Sequence, residues 1–292
     1  MSDGLETVGS LVAEARSRFL AAHLADAALD ARILVGGLLG LSTTELVLRG
    51  DDTVSDADGE RIRAAIQRRL GHEPVYRILG QRAFYGLELK LSTDTLEPRQ
   101  DTEMLVDRML PYLQRVIAAK GRAHLLDVGT GTGAIALALL QECPQATGIG
   151  CDISADAVAT AAQNAVANGL AERFTAVTSN WLDAISDCFD IIVSNPPYIV
   201  SSVVVSLQPE VRGFDPLIAL DGGEDGMDGY QALAADAKRC LQPDGIVGVE
   251  IGYDQKRSVI AMFLANDFHL LETAQDYGGR DRVLIFGNGA RD

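Results

Sequence analysis

Apolar positions in the first part of the chain recur at intervals of three and four, the spacing that gathers one stripe on a helix. Within Leu5–Leu24 they are Val8, Leu11, Val12, Ala15, Phe19 and Leu20. Ala27–Leu41 repeats the pattern and ends on a glycine-rich step, and Asp56–Leu70 sets Ile62, Ile66 and Leu70 on one face. Between these segments, Ser42-Thr43-Thr44-Glu45 has the form of a capping box, with Glu45 placed to reach back to the first free N–H groups of a helix. The texture changes at Gly71. Alternating apolar positions across Ala83–Leu91 predict a β-hairpin, and Asp101-Thr102 opens a helix to about Ala119.

From His124 onward the rhythm is strand, glycine turn, helix, strand. Leu125–Val128, Ala146–Cys151, Phe174–Thr178, Phe189–Ser194 and Gly245–Ile251 read as strands, and Gly133–Gln141, Ala155–Asn168 and Tyr253–Asn266 as helices. Two further strands follow from about His269, the last over Arg282–Phe286. Such alternation predicts an α/β domain, a mostly parallel sheet covered by helices, with its ligand site at the carboxyl ends of the strands. The expected division is a helical domain over residues 1–80, a hairpin linker over 81–98 and an α/β domain over 99–292.

Composition narrows the class. Of 292 residues, 47% are hydrophobic and 23% charged, ordinary values for a globular chain with a real core. No apolar run is long enough to span a bilayer, and Met1–Ser10 lacks the basic-then-apolar form of a signal peptide. Cys143, Cys151, Cys188 and Cys240 are scattered without a Cys-x-x-Cys pair, so reduced thiols in a cytoplasmic protein are expected, with no metal and no membrane association. The net charge of −16 is unevenly spread: residues 1–95 hold 11 Lys and Arg against 14 Asp and Glu, the remainder 14 against 27. A surface this acidic repels phosphate backbones and argues against direct nucleic-acid binding.

Two motifs carry chemistry. Asp127-Val128-Gly129-Thr130-Gly131-Thr132-Gly133 follows a strand and opens a helix, where glycines let the backbone approach a ligand closely. Asp152 ends the next strand, placed to accept both hydroxyls of a ribose. The glycines alone fit a nicotinamide dinucleotide, S-adenosylmethionine or a plain turn. The second motif decides among them. Ser194-Asn195-Pro196-Pro197-Tyr198 is a strand end running into a turn that two prolines make rigid. An amide nitrogen, or the exocyclic amino group of a base, is a poor nucleophile because its lone pair is delocalised. The side-chain oxygen of Asn195 and the backbone carbonyl of Pro196 can accept its two N–H hydrogens, aim the lone pair at a sulfonium methyl and stabilise the charge that develops. Tyr198 offers a flat surface for the acceptor.

The two motifs together resemble the amino-nitrogen methyltransferases. Glu73–Gly80, Glu97–Glu103, Phe214–Leu220 and Asp276–Arg282 resemble one branch, the release-factor glutamine methyltransferases (the PrmC/HemK family), over nearly the whole chain. The resemblance implies a small helical domain that helps recognise the release factor, and a Rossmann-like seven-stranded domain joined to it by the hairpin. It implies S-adenosylmethionine as methyl donor and, as acceptor, the glutamine of the Gly-Gly-Gln loop of peptide-chain release factors. Carried over by position, Asp127, Gly129, Thr130, Gly131, Thr132, Gly133, Asp152, Trp181 and Asn195 bind the donor, Trp181 against the adenine; Asn195, Pro196, Pro197 and Tyr198 hold the glutamine. Gln100 stands where the family often has proline, and Asn180 where an acid is common.

Other features are given no role. Asp221–Gly226 lacks the ligands of a calcium loop, with Ala232 at its twelfth position. Arg61, Arg63, Arg68, Arg69, Arg77 and Arg82 read as solvated faces, Glu250 closes a strand near the cleft, and His23, His72, His124 and His269 show no catalytic pairing. The alternatives are a methyltransferase acting on DNA or RNA bases, a non-catalytic interaction protein, and more distantly a nicotinamide enzyme.

Overall fold

Arg69, an arginine with only 6% of its surface exposed, shows how the helical part of the chain is held together. In the computed structural model, which describes residues 6–289, its Nε donates to Asp30 at 2.7 Å and its Nη1 pairs with Glu210 at 3.4 Å. The chain divides into two units: residues up to Gln81 together with Gln208–Phe214, and Arg82–Leu207 with the chain from Asp215 onward. Residues 208–214, expected from the sequence in the second domain, thus group with the first unit.

That first unit contains α1 (Val8–Ala21), α2 (Ala27–Leu39), α3 (Thr43–Leu48), α4 (Asp56–Leu70) and α5 (Val75–Leu79). Thr7 caps α1, and the predicted Ser42/Glu45 capping box opens α3. The predicted start at Leu5 lies outside the described residues. The apolar stripes face inward, and Leu11, Phe19, Leu34, Ile62 and Ile66 are fully buried. The arginines of α4 are paired: Arg61 with Asp58, Arg63 with Glu6, Arg68 with Glu73.

β1 (Gln81–Phe84) and β2 (Leu87–Lys90) form the hairpin, which belongs to the second unit from Arg82 onward. Its two-residue turn has positive φ at both Tyr85 and Gly86, 49° and 78°, as the tight twist of such a hairpin demands. Gln100–Thr102 forms a 3₁₀ turn that leads into α6 (Glu103–Lys120), so the helix starts slightly later than expected. Then follow β3 (Ala123–Val128), α7 (Ala134–Glu142), β4 (Ala146–Asp152), α8 (Ala155–Ala167), β5 (Phe174–Thr178), β6 (Phe189–Ser194) and α9 (Ser201–Val204). After α10 (Pro209–Phe214), which belongs to the helical unit, come α11 (Asp228–Asp236), β7 (Leu241–Glu250), α12 (Lys256–Ala265), β8 (His269–Gln275) and β9 (Asp281–Gly287).

The sheet has seven strands in the order β5-β4-β3-β6-β7-β9-β8, parallel except for β9, which runs antiparallel to both its neighbours. Its central strands are covered on both faces and therefore read as near-continuous apolar runs, Ile191-Ile192-Val193 among them. One core joins α6, α7 and α8 to the sheet; the other joins α11 and α12. Chain direction reverses its march across the sheet between β3 and β6, the crevice where such sheets bind ligands. Two further boundaries differ from expectation. β7 opens at Leu241 rather than Gly245, with a register irregularity against β6, and α12 begins only at Lys256, after a turn in which Gln255 bonds back to Gly252.

Phe263 is fully buried, stacked on Phe286 at 4.3 Å between ring centroids and edge-on to Phe268 at 5.3 Å. Phe263→Ala is expected to cost about 3–5 kcal/mol of stability, read as a lower denaturation midpoint. A loss below about 1 kcal/mol would mean that α12 is not anchored through this ring.

Candidate active site

Strand register builds the site. Val128 pairs with both Cys151 and Ser194, and Ser194 with Val249. The next residue on each strand is Gly129, Asp152, Asn195 or Glu250, so the sequence motifs arrive in one row at the carboxyl edge of the sheet. The Ser194 hydroxyl donates to the Val128 carbonyl at 2.7 Å in a fully buried bond and fixes the two motif-bearing strands at their ends.

The glycine turn is tied at three points. The Gly129 and Thr130 N–H groups both donate to the Cys151 carbonyl at 2.9 Å. Asp127, fully buried, accepts from the Thr130 hydroxyl at 2.8 Å and from the Ala136 N–H at 3.3 Å. Asn164, also fully buried, donates to the Thr132 carbonyl at 2.9 Å while its amide grips both backbone groups of Lys90. Gly129, Gly131 and Gly133 take φ values of 71°, 54° and 84°, which side chains resist. A Cβ on Gly129 or Gly131 would meet no atom within 4 Å, so both present bare backbone to open space.

That space is a cavity of about 300 Å³. Gly129, Thr130, Gly131, Thr132, Asp152, Trp181, Asn195 and Pro197 line it, together with residues given no site role from the sequence, among them Arg99, Thr102, Ile218 and Asp228. The Gly131 N–H donates to Asp152 at 2.9 Å and Ser154 N–H to its other oxygen at 3.0 Å; burial raises the Asp152 pKa, and these bonds pull it back. Each carboxylate oxygen retains a lone pair for a hydroxyl donor.

Four expected site residues stand behind the cavity rather than on its wall. Asp127 lies beneath the turn, where burial pushes its carboxyl up to about 7 and its Oδ1 has no partner. Gly133 packs against Leu137 and Ala161. Pro196 is buried against α11: a Cβ on Gly229 would stand 2.7 Å from Pro196 and 2.8 Å from the Trp181 indole. The Tyr198 ring joins the apolar cluster beside Gly252, and burial pushes its phenol up to about 12. This ring braces the turn from behind through its apolar body. Gln255 clasps the same turn, donating to the carbonyls of Tyr198 and Gly226 at 3.0 Å each.

Segments remote in sequence converge here. Arg99 pairs with Asp215, Thr102 accepts from Asn195 at 3.2 Å, and Arg282 pairs with Asp276 at 3.0 Å and Asp101 at 3.4 Å. Asp221–Gly226 is committed to the protein: Asp221 accepts from Ser201 at 2.6 Å, and Gly222 abuts the Pro197 carbonyl. No group of three or more His, Cys, Asp or Glu gathers as metal ligands among the described residues. Asp94, Asp152, Asp221 and Asp228 line the cavity against one arginine, Arg99, itself paired with Asp215. This lining suits a cation better than a pyrophosphate. Bare glycine backbone, a hydroxyl acceptor, an indole and negative charge fit a nucleoside that bears a sulfonium.

Comparison with known proteins agrees. Residues 10–80 match the PrmC N-terminal domain and residues 102–207 the methyltransferase small domain. A release factor glutamine methyltransferase of Agrobacterium fabrum is 54% identical over 97% of this chain and 98% of its own. That of Bradyrhizobium diazoefficiens is 47% identical over 85% of this chain and 84% of its own. A crystal structure of a methyltransferase from Pyrococcus furiosus shares the fold with a TM-score of 0.51 at 18% identity, covering 78% of this chain and 98% of that one.

The Asp127 carboxyl gives a pH signature. Its pKa rises from 3.8 unfolded to about 7 folded, so the native state holds a proton that the unfolded chain releases. Its contribution to stability is full below pH about 4 and is lost as pH rises through about 7. Asp127→Asn keeps an acceptor for Thr130 and Ala136. Denaturant titrations from pH 4 to 8 should show the variant gaining on the parent as pH rises. A pH-independent difference would contradict the assignment.

Proposed function

The chain belongs to the family of release factor glutamine methyltransferases, and on that premise we propose that the cavity binds S-adenosylmethionine and that the Asn195 turn holds the glutamine of a release factor's Gly-Gly-Gln loop for methylation of its side-chain nitrogen. The observation that carries the reading is the row of strand ends, which sets the open glycine backbone and the rigid Asn-Pro-Pro-Tyr turn side by side on one cavity.

Bound there, S-adenosylmethionine would supply an electrophilic methyl on a cationic sulfur. Gly129, Thr130, Gly131 and Thr132 would form the floor beneath it, Asp152 would accept the ribose hydroxyls, and Trp181 would cover the adenine. Asp127 and Gly133 act from beneath, by fixing the turn. The Asn195 side-chain oxygen and the Pro196 carbonyl take the two amide hydrogens. Their negative ends orient the lone pair and stabilise the charge that builds on nitrogen. Pro197 and Tyr198 hold those acceptors still, so little ordering cost recurs at each turnover. The step needs no metal and no strong base, because the nitrogen becomes acidic once alkylated and its proton leaves to solvent.

A base in nucleic acid could occupy the same acceptor pair, but the acidic lining and the net charge of −16 disfavour a phosphate backbone. No helix among the described residues is long and apolar enough to cross a membrane. We place the reaction in the cytoplasm, with the release factor as the partner.

With radiolabelled methyl donor, label is expected on a purified release factor, none on the same factor with its Gly-Gly-Gln glutamine replaced, and none on mixed nucleic acid. Asn195→Ala should lower kcat by about 10²–10³-fold, the typical cost of removing one oriented transition-state contact. Label on nucleic acid instead would overturn the substrate. Undiminished activity of Asn195→Ala would overturn the role of the turn.

A further inference from the structure

Asn195 is useful only one way round. Its oxygen must face the acceptor amide, and its NH₂ must face away. The two ends of a side-chain amide are nearly the same shape, so the neighbours decide which end points where. On the protein side those neighbours are Thr102 and Glu250. The Asn195 Nδ2 donates to Thr102 Oγ1 at 3.2 Å. Thr102 is 4% exposed and ends the 3₁₀ turn before α6; Glu250 is 2% exposed and ends β7, one strand over from Asn195. The Glu250 carboxyl faces the side chains of both Thr102 and Asn195, and its Oε2 is buried with no partner. A buried carboxyl beside the acceptor turn, kept incompletely satisfied, is costly to the fold and calls for a reason.

We infer that Thr102 and Glu250 are positioning residues that set the orientation of the Asn195 amide, with ionised Glu250 accepting from the Thr102 hydroxyl so that Thr102 can only accept from Asn195. This inference rests on the Asn195 acceptor role proposed above. With Glu250 ionised the chain runs one way: the Asn195 NH₂ donates to the Thr102 hydroxyl, and that hydroxyl donates to the Glu250 carboxylate, which can only accept. The Asn195 oxygen is left facing the cavity. When Glu250 takes up a proton it becomes a donor to Thr102. The Thr102 hydroxyl can then turn and donate to Asn195, the amide can flip, and an NH₂ rather than an oxygen meets the substrate's own N–H.

The surroundings place that switch near neutrality. Burial raises the Glu250 carboxyl to about 7, against the opposing pull of Thr102, Arg282 and Asn195. Arg282 on β9 and Asp101 on the 3₁₀ turn face it with opposite charges, Tyr198 faces it from the turn that follows β6, and Tyr230 on α11 donates to its backbone carbonyl at 3.0 Å. The Tyr198 phenol lies at about 12 and that of Tyr230 well above the ordinary phenol value, so neither phenol changes charge in the same range. Arg282 stays charged and is shared with Asp276 and Asp101.

The test measures kcat and KM from pH 5.5 to 9 for the full chain and for Glu250→Gln, Thr102→Val, Thr102→Ser and Asn195→Ala, with a release factor as acceptor. The parent should lose kcat as pH falls through about 7, and Glu250→Gln should lose that acid limb. Glu250→Gln and Thr102→Val should each lower kcat about tenfold or more, the size of one lost hydrogen-bond constraint, with KM for S-adenosylmethionine little changed. Thr102→Ser, which keeps the hydroxyl, should recover most of the rate. Parent-like kcat and an intact acid limb in Glu250→Gln would overturn the inference, as would equal loss in Thr102→Ser and Thr102→Val. If those variants are parent-like while Asn195→Ala is inactive, the relay fails and the acceptor role of Asn195 stands. If Asn195→Ala is itself active, the acceptor role fails.

Discussion

The buried bond from the Ser194 hydroxyl to the Val128 carbonyl, 2.7 Å long, joins β6 to β3 where both strands end. Everything at the site depends on the register it marks. Parallel strands that finish level deliver their next residues side by side, and here those are Gly129, Asp152, Asn195 and Glu250. A slip of one residue would turn each side chain to the opposite face. Apolar burial on both faces of the sheet makes such a slip expensive. The site is therefore held by the core, and the loops only elaborate it.

The loops do so by close backbone approach. Gly222 and Gly226 bring the segment after β6 against the Asn-Pro-Pro-Tyr turn, and Gly229 admits the Trp181 indole and the Pro196 ring together. Gln255 bonds to two of the carbonyls that result. Rigidity here matters chemically. A weak nucleophile gains from acceptors that are already in place, since they need no reorganisation as charge develops. The buried carboxyls Asp127 and Glu250 are the cost of that arrangement, each pushed up to about 7. Such values belong more often to sites than to scaffolds.

Much of this was legible in the sequence. The helical stripes around Ile62 and Ile66, the Ser42/Glu45 box, the strands Phe174–Thr178 and Phe189–Ser194, and the two motifs all rest on local pattern, and local pattern is what a sequence displays. What was not legible is tertiary. α9, α10 and α11 fill the stretch between β6 and β7 as short pieces, two of them too brief for a helical period to emerge. Thr102 and Asn164 look like ordinary polar residues until the fold buries them against Asn195 and Thr132. The Tyr198 ring was expected against the acceptor, but a motif does not say which of its side chains turns inward. The segments around Arg99, Asp215 and Arg282 resembled the family without a stated reason; their convergence on the site supplies one.

The most direct measurement is a crystal structure of the chain with S-adenosylhomocysteine and a glutamine-containing release-factor peptide. The predicted result is a nucleoside over the Gly129–Gly133 turn and the glutamine nitrogen within about 3.1 Å of both the Asn195 side-chain oxygen and the Pro196 carbonyl. A glutamine bound away from Asn195, or met by its NH₂ rather than its oxygen, would contradict the account.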